Sequence, residues 1–501
     1  MSKLIRCMIC RVFWKRKSVR NVMLVMCFLT FSYQMMTVAK LWSNGRLTTP
    51  LNHTRWERHI TGQARTDRTD VDKIKTSLTE NEIHPTTVRA RGQGVETSGK
   101  SVLPDRSKDQ QNLSQSVDMS TAYRHGWIGF PDMSNCSCEQ MLTGPTNNSL
   151  YQQRVQRLSS QQILMEAKDC SRFKTKFGFT RYPPVSIEER EFPIAYIILF
   201  HRSLDQVLFL LRAIYRPHNV YCLTLDTTSG PDILKAARSL GTCLPNVFVA
   251  SKLEDIVYAG FSRLMADVDC MEDLVRHPVR WKYVINMPGE QFPLRTNLEL
   301  VRTFKLFNGS NNLEVLTADK ALLKYRYLYK AVYLKNNVTG VINVRKGSKQ
   351  HEPPPHGFDM AKGSTYGCFA RELVEFLFTS TAARDLLEWS RDVVSPDEYF
   401  WAMLHYSKGV KVPGSLAESK SAYPYITSLS VWKGGVNGKC ATKYVHAICI
   451  FSPEDVFNLV NCGNLFANKF YIDHHPAALH CLDEMLLKQT FSGTARDFPL
   501  P

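Results

Sequence analysis

Between residues 135 and 501 the sequence contains neither G-x-G-x-x-G nor G-x-x-x-x-G-K-[ST], so no dinucleotide fingerprint and no P-loop marks a site there. The same stretch lacks a compact Lys/Arg run with interleaved aromatics. That sets nucleic acid aside as a partner, despite a formal charge of +17 over 501 residues. Acidic residues are absent from positions 1–20, and cysteine is absent from 43–134. Each absence outlines a segment. Seven of the excess positive charges (Lys3, Arg6, Arg11, Lys15, Arg16, Lys17 and Arg20) fall in the first twenty positions. The cysteine-free stretch is polar, with 13 Lys+Arg against 11 Asp+Glu, and reads as an extended, disordered stem.

Val22–Ala39 follows the basic tail as eighteen residues without a charge, long enough to cross a hydrocarbon core. Positive charge ahead of the run predicts a cytoplasmic N-terminus and a type II signal anchor. A cleaved signal peptide competes with this, but the run is long and has no clear small-x-small site. The expected organisation is a cytoplasmic tail at 1–20, an anchor at 21–42, a luminal stem at 43–134 and a catalytic domain at 135–501. Six N-x-Ser/Thr sequons, at Asn52, Asn112, Asn135, Asn147, Asn308 and Asn337, all follow the anchor. Eleven of the fourteen cysteines lie at or beyond Cys136, where an oxidising lumen favours disulfides. Cys7 and Cys10 form a lone C-x-x-C in the tail, read as free or acylated thiols rather than a zinc site.

The folded part has an α/β pattern. Phe192–Phe200 is a continuous apolar run, as expected of a strand buried on both faces. Leu204–Tyr215 has helical spacing, Val220–Leu225 is a second strand, Asn246–Ala250 a third, and Lys282–Met287 a fourth after a helical stretch ending near Arg276. Such alternation predicts a mostly parallel sheet, whose ligands sit beyond the carboxyl ends of the strands. His201, Asp226 and the loop Pro288-Gly-Glu-Gln291 are thereby placed along one rim.

Several constellations compete for chemistry. Asp267-Val-Asp269 resembles a metal-holding D-x-D, yet it lies inside a helical pattern rather than at a strand end and reads as a solvated helix face. Asp473, His474, His475 and His480 complete no known ligand spacing. Ser395-Pro-Asp-Glu398 is first a helix start, with Ser as N-cap, Pro at the first position and acids at the positive dipole end. A carboxylate there, facing a ligand rim, also suits a general base. Lys469 reads by default as a surface lysine.

Taken together, Phe192-Pro-Ile-Ala-Tyr196, Leu211–Cys222, Asn246–Ser251, Asn297–Arg302, Ser395–Ala402, Pro413-Gly-Ser-Leu416 and Leu465–Phe470 resemble the core 2 β-1,6-N-acetylglucosaminyltransferase family, glycosyltransferase family 14, from about Cys138 to Leu487. The resemblance implies a GT-A-like variant fold, inversion at C1 of a UDP-GlcNAc donor and no divalent metal or other cofactor. It implies an O-glycan or glycoprotein acceptor and a single-pass type II protein of the Golgi membrane. Glu398 matches the family's base, and a carboxylate with an ordinary pKa of ~4.3 is ionised at Golgi pH. Lys469 matches one of two cations at the diphosphate. The second, an arginine in the family, aligns with His446, which implies pH-sensitive UDP binding because an ordinary histidine is cationic only below roughly 6.5. Lys443 is a neighbouring helper, and His201, Asp226 and Tyr258 complete the donor set.

On the acceptor side the resemblance assigns Glu314, Lys320 and Trp432. The loop around Lys320 is three residues shorter, and the nearby family arginine has no counterpart, Leu322 being nearest. A family tyrosine becomes Gly434 and a usual Asp becomes Gln291. The resemblance also pairs Cys138–Cys481, Cys170–Cys243, Cys222–Cys270 and Cys440–Cys449, connectivities that spacing alone leaves open. Cys136, Cys368 and Cys462 remain for a further pair or an intermolecular bridge, so a disulfide-linked or non-covalent dimer stays open. Two alternatives stand beside the transferase: a relative using UDP-xylose or UDP-glucuronate, and a catalytically silent glycan-binding module.

Overall fold

The computed structural model describes residues 137–144, 157–317, 329–337, 340–418, 423–435 and 438–496. The expected tail, anchor and stem, together with Lys320, Leu322, Cys7, Cys10, Cys27, Cys136 and the sequons at Asn52, Asn112, Asn135 and Asn147, lie outside them. Among the described residues no helix is long and apolar enough to cross a membrane.

Helix α1, Cys138–Thr143, opens the described chain, and strand β1, Ile194–Phe200, begins the sheet. Helix α2, Leu204–Ile214, leads to β2, Val220–Leu225, and α3, Pro231–Cys243, leads to β3, Val247–Val249. Helix α4, Phe261–Arg276, precedes β4, Tyr283–Pro288. The short β5, Gln291–Pro293, and α5, Asn297–Phe307, follow, then a two-stranded ribbon of β6, Tyr329–Lys335, and β7, Ile342–Gln350. Strand β8, Cys368–Ala370, completes a sheet of order β3-β2-β1-β4-β8, parallel except for β8. The fold is therefore α/β with a mostly parallel central sheet, and the strands expected from apolar runs sit where the pattern placed them.

The continuous apolar run of β1 has a direct cause. Ile194, Tyr196, Ile198 and Phe200 enter the core on one face of the sheet, while Ala195 and Ile197 enter the other. Tyr221, Leu223 and Leu225 of β2 divide from Val220 and Cys222 in the same way. Each fully buried large side chain contributes roughly 1.5–3 kcal/mol, so a strand buried on both faces admits no polar alternation.

A second sheet of order β5-β12-β9 joins β9, Ser428–Ser430, and β12, Phe466–Asn468, to β5 just past the end of β4. Helix α6, Phe400–Tyr406, precedes it, and the hairpin of β10, Tyr444–Val445, and β11, Ile448–Cys449, precedes β12. Helix α7, Pro476–Ser492, closes the chain. All four disulfides implied by the resemblance are present: Cys138–Cys481 ties α1 to α7, Cys170–Cys243 anchors α3, Cys222–Cys270 links β2 to α4, and Cys440–Cys449 braces the hairpin. Cys368, by contrast, is fully buried on β8 against Thr427, and burial pushes its thiol up to about 12. A bridge between molecules through Cys368 is excluded by that position. Cys462 is half-buried and unpaired with another sulfur.

Asp483 of α7 lies buried between Arg181 and Arg212, accepting from Arg181 Nη1 at 2.6 Å and Arg212 Nη2 at 2.5 Å. Burial acts to raise its carboxyl, but the two guanidiniums outweigh it and hold the group below the usual carboxylate range. Asp483→Ala leaves two buried cations without their anion and should cost about 3–5 kcal/mol in chemical denaturation near neutral pH. The folded-state value is depressed, so the contribution is present above the ordinary carboxylate pKa and is lost as pH falls through the folded one. The gap between variant and wild type should therefore narrow in acid.

Candidate functional site

The parallel strands β1 to β4 deliver their carboxyl ends to one edge, and the expected donor residues follow them. His201 is exposed directly after β1. Asp226 follows β2 and accepts from the amide and hydroxyl of Thr228 at 2.9 and 2.8 Å, which closes the turn there. Tyr258, beyond β3, is 83% exposed, an unusual position for an aromatic ring, and lies 6.2 Å from the imidazole of His446. Gly289 follows β4, and a Cβ there would meet Val207 Cγ2 at 2.8 Å, so only glycine lets this loop pass α2. Gln291, expected on the rim, is instead buried in β5, where it accepts from the Ser428 hydroxyl at 3.3 Å.

His446 occupies the tip of the β10–β11 hairpin, a two-residue turn with Ala447. Both have positive φ, 50° and 64°, as a type I′ turn requires, although neither is glycine. The strained turn is held from several sides: by the Cys440–Cys449 disulfide, by Lys433 N donating to Ala447 O at 2.8 Å, and by a bridge between Trp432 and Ile448. Trp432 is 48% exposed. The turn after it needs Gly434 at φ 77°, which explains glycine where a tyrosine would be strained. Lys469 follows β12 and is half-buried rather than a free surface lysine. Its carbonyl accepts from Phe451 N at 3.0 Å, and Phe470 N donates to Glu290 O at 2.8 Å, stitching the segment to the end of β4. His474 and His475 meet with ring centroids 4.1 Å apart and planes tilted by 54°, and burial, aided for both by Lys443, depresses their basicity, His475 to about 4.

On the other side of the rim, Glu398 ends a 3-10 turn, Pro396–Glu398, ahead of α6. Ser395 does not act as the expected N-cap. It sits at φ 54° with no side-chain cap, and its amide donates to Ala259 O at 2.8 Å, Ala259 itself having φ 60°. Glu398 Oε2 pairs with Lys362 Nζ at 2.8 Å. Glu314 lies alongside, its carboxyl raised by burial and by the charge of Glu398, with Lys362 opposing. The three side chains come from separate segments stitched by backbone: Gly363 N donates to Glu398 O at 2.7 Å, and Leu316 N to Lys362 O at 2.6 Å.

The motif around Glu314 supplies its staples. Asn311 bonds Pro413 O and Ala370 N, each at 2.8 Å, and Asn312 bonds Pro424 O, Ile426 N and Thr427. Lys320 lies outside the described residues.

Beneath Glu398 the structure reveals an arrangement the sequence did not. Asp267 and Asp269 are buried, not solvated, because their helix packs inward against the sheet. Arg263 Nη1 meets Asp267 at 2.9 Å and Arg263 Nε stands 3.9 Å from Asp397, while Asn286 of β4 donates to Asp267 at 2.8 Å. Asp269 pairs with Lys252 at 3.3 Å, and burial pushes its carboxyl up to about 6 against that cation. Both aspartates thus serve lysine and arginine partners. Among the described residues one cluster has metal-ligand spacing, Cys138, His480 and Glu484, but the Cys138 sulfur is already bonded to Cys481. Lys362 and Arg263 were missed from sequence. Lys362 sits in Ala361-Lys-Gly-Ser364 with no local signature, and only Gly363 hints at a close approach.

Residues 194–460 match the Core-2/I-Branching enzyme family. The chain is 34% identical over 394 residues to the mouse (Mus musculus) Beta-1,3-galactosyl-O-glycosyl-glycoprotein beta-1,6-N-acetylglucosaminyltransferase 3, covering 73% of this chain and 86% of the relative. It is 36% identical over 363 residues to the human (Homo sapiens) N-acetyllactosaminide beta-1,6-N-acetylglucosaminyl-transferase, covering 69% and 83%. To the human Beta-1,3-galactosyl-O-glycosyl-glycoprotein beta-1,6-N-acetylglucosaminyltransferase it is 35% identical over 376 residues, covering 70% and 85%. With this sheet and rim, the chain is a glycosyltransferase of that kind. It belongs to the Core-2/I-Branching enzyme family.

A Cβ on Gly363 would stand 1.8 Å from the Glu314 carbonyl oxygen. Gly363→Ala must therefore spread the segments of Glu314 and Glu398. A displacement near 1 Å at reacting groups costs roughly 10²-fold, so kcat/KM should fall by about that factor in steady-state assays, and the melting temperature should fall too because the clash is against backbone.

Proposed function

We propose that this protein transfers GlcNAc from UDP-GlcNAc in β-1,6 linkage to an O-glycan acceptor, with inversion and without a metal, as a type II protein of the Golgi membrane. The observation that carries the reading is the Glu398–Lys362–Glu314 cluster, whose turn is bonded through Ser395 to Ala259, the neighbour of a Tyr258 ring that lies beside His446. In this GT-A-like variant reading, Glu398 Oε1 takes the proton of the attacking acceptor hydroxyl, whose oxygen bonds to C1 as the bond to UDP breaks. Charge grows on the departing diphosphate, where Lys469 and the His446 hairpin stabilise it, as fixed cations do for a developing anion. Tyr258 offers a face for the uracil ring, and Asp226 follows β2 on the same edge. Glu314 and Trp432 bind the acceptor sugar, the first through hydroxyls and the second through its apolar face. Four disulfides and the exposed sequon residues Asn308 and Asn337 support a luminal location. The two kinds of relative name different acceptors at nearly equal identity, so identity does not choose between a core O-glycan and a lactosamine chain.

The full chain in detergent, offered labelled UDP-GlcNAc, UDP-xylose and UDP-glucuronate with core 1, core 3 and lactosamine acceptors, tests the reading. UDP-GlcNAc should be the donor used, and EDTA should leave the rate unchanged. Transfer from another donor would redirect the donor assignment, loss of transfer in EDTA would overturn metal independence, and glycan binding with no transfer would favour a silent module. Glu398→Gln should lower kcat by about 10²–10⁴-fold with UDP affinity in calorimetry little altered.

A further inference from the structure

Lys362 is the one cation in direct contact with the proposed base among the described residues. Its Nζ is 2.8 Å from Glu398 Oε2, and its side chain is only 18% exposed. The surroundings leave it little choice of partner. Its backbone is fixed to Leu316 in both directions, the next amide is bonded to the Glu398 carbonyl, and its ammonium lies 5.8 Å from the Tyr399 ring centroid. The groups facing the cluster are Glu314 from the 311–317 segment, Glu398 and Tyr399 from the turn, and Tyr425 beside Glu314, while Tyr366 faces Arg263 and Asp397. Asp397 turns the other way, to Thr365 and Arg263.

We propose that Lys362 is the positioning residue for the base: its ammonium pins one oxygen of Glu398 and leaves the other to receive the acceptor proton. This rests on the reading of Glu398 as the base. The ammonium accepts no proton from the acceptor, so the contact adds no second base. What it supplies is alignment and charge balance. Two carboxylates side by side oppose each other's ionisation, and Glu314 is already raised partly by Glu398, with Lys362 opposing. Remove Lys362 and the pair holds a proton to higher pH while Glu398 gains rotational freedom.

Lys362→Met, Lys362→Arg and Glu398→Gln are compared with wild type in kcat and kcat/KM from pH 4.5 to 8, using UDP-GlcNAc and the acceptor turned over fastest in the panel above. In Lys362→Met the Glu314–Glu398 pair loses the cation between its carboxyls, so the acid limb of kcat/KM should move to higher pH. Its plateau kcat should fall about tenfold from lost alignment. Lys362→Arg, which keeps the charge, should return the limb toward wild type, a rescue that a merely structural role would not produce. A Lys362→Met enzyme with wild-type limb and plateau, alongside an inactive Glu398→Gln, overturns the proposal and spares the base. Full turnover in Glu398→Gln overturns the base itself and the proposal with it. If the methionine variant does not fold, Lys362→Gln carries the same charge comparison. Equal acid limbs in Gln, Arg and wild type would be the overturning result.

Discussion

One buried guanidinium underlies the turn that carries Glu398. Arg263, on α4, stands between Asp267 of its own helix and Asp397 of the turn that ends in Glu398. Asn286 of β4 joins the same cluster, bonding Asp267, Thr365 O and Gly367 N at 2.8 Å each. A helix, a central strand, the Lys362–Gly367 loop and the Glu398 turn thus meet on one charge. Desolvating such a group is costly, and removal of one partner from a buried pair is strongly destabilising, so the elements can depart from this arrangement only together. Glu398 is held in place from below by electrostatics and from the side by backbone bonds.

Strain is concentrated along the same rim. Ser203, Ala259, Ser395, His446 and Ala447 all adopt positive φ without being glycine. Such residues persist only where their surroundings over-determine them, and they gather where chemistry demands an unusual chain path. Ala259 and Ser395 are bonded to each other. The strained residue beside Tyr258 therefore meets the strained residue that starts the Glu398 turn, and one backbone bond joins the two sides of the rim.

Much of this was legible in the chain. The runs at β1, β2 and β4 were readable because burial on both faces favours apolar side chains almost throughout, the exceptions being Thr224 and the hydrogen-bonded Asn286, and local spacing therefore reports tertiary position. The exclusion of Asp267-Val-Asp269 from a strand end was also readable, but its surroundings were not. A buried aspartate with an arginine partner and a solvated aspartate look alike on a helix: the Arg263–Asp267 pair has the i,i+4 spacing of any solvated face, and the second carboxylate beside Arg263, Asp397, lies 134 positions away and leaves no periodic trace. Ser395 shows the same limit. Ser-Pro-Asp-Glu is a good capping pattern, and a long-range bond to Ala259 overrode it. The cysteine pairing followed from resemblance and not from spacing, because four disulfides with separations from 9 to 343 residues have no local rule.

The family resemblance, not any local pattern, singled out Glu398 as a base; by itself the sequence determined the α/β alternation, the sheet edge beyond the carboxyl ends of the strands and the candidate anchor and stem segments. These follow from hydrophobic burial and backbone geometry, which are written in neighbouring residues. Only the tertiary structure decided that Glu398 has a lysine at 2.8 Å, that Glu314 lies beside both, and that Gln291 turns inward. Electrostatic partners are chosen by distance through space, and Lys362 reaches Glu398 across a fold that no local pattern describes.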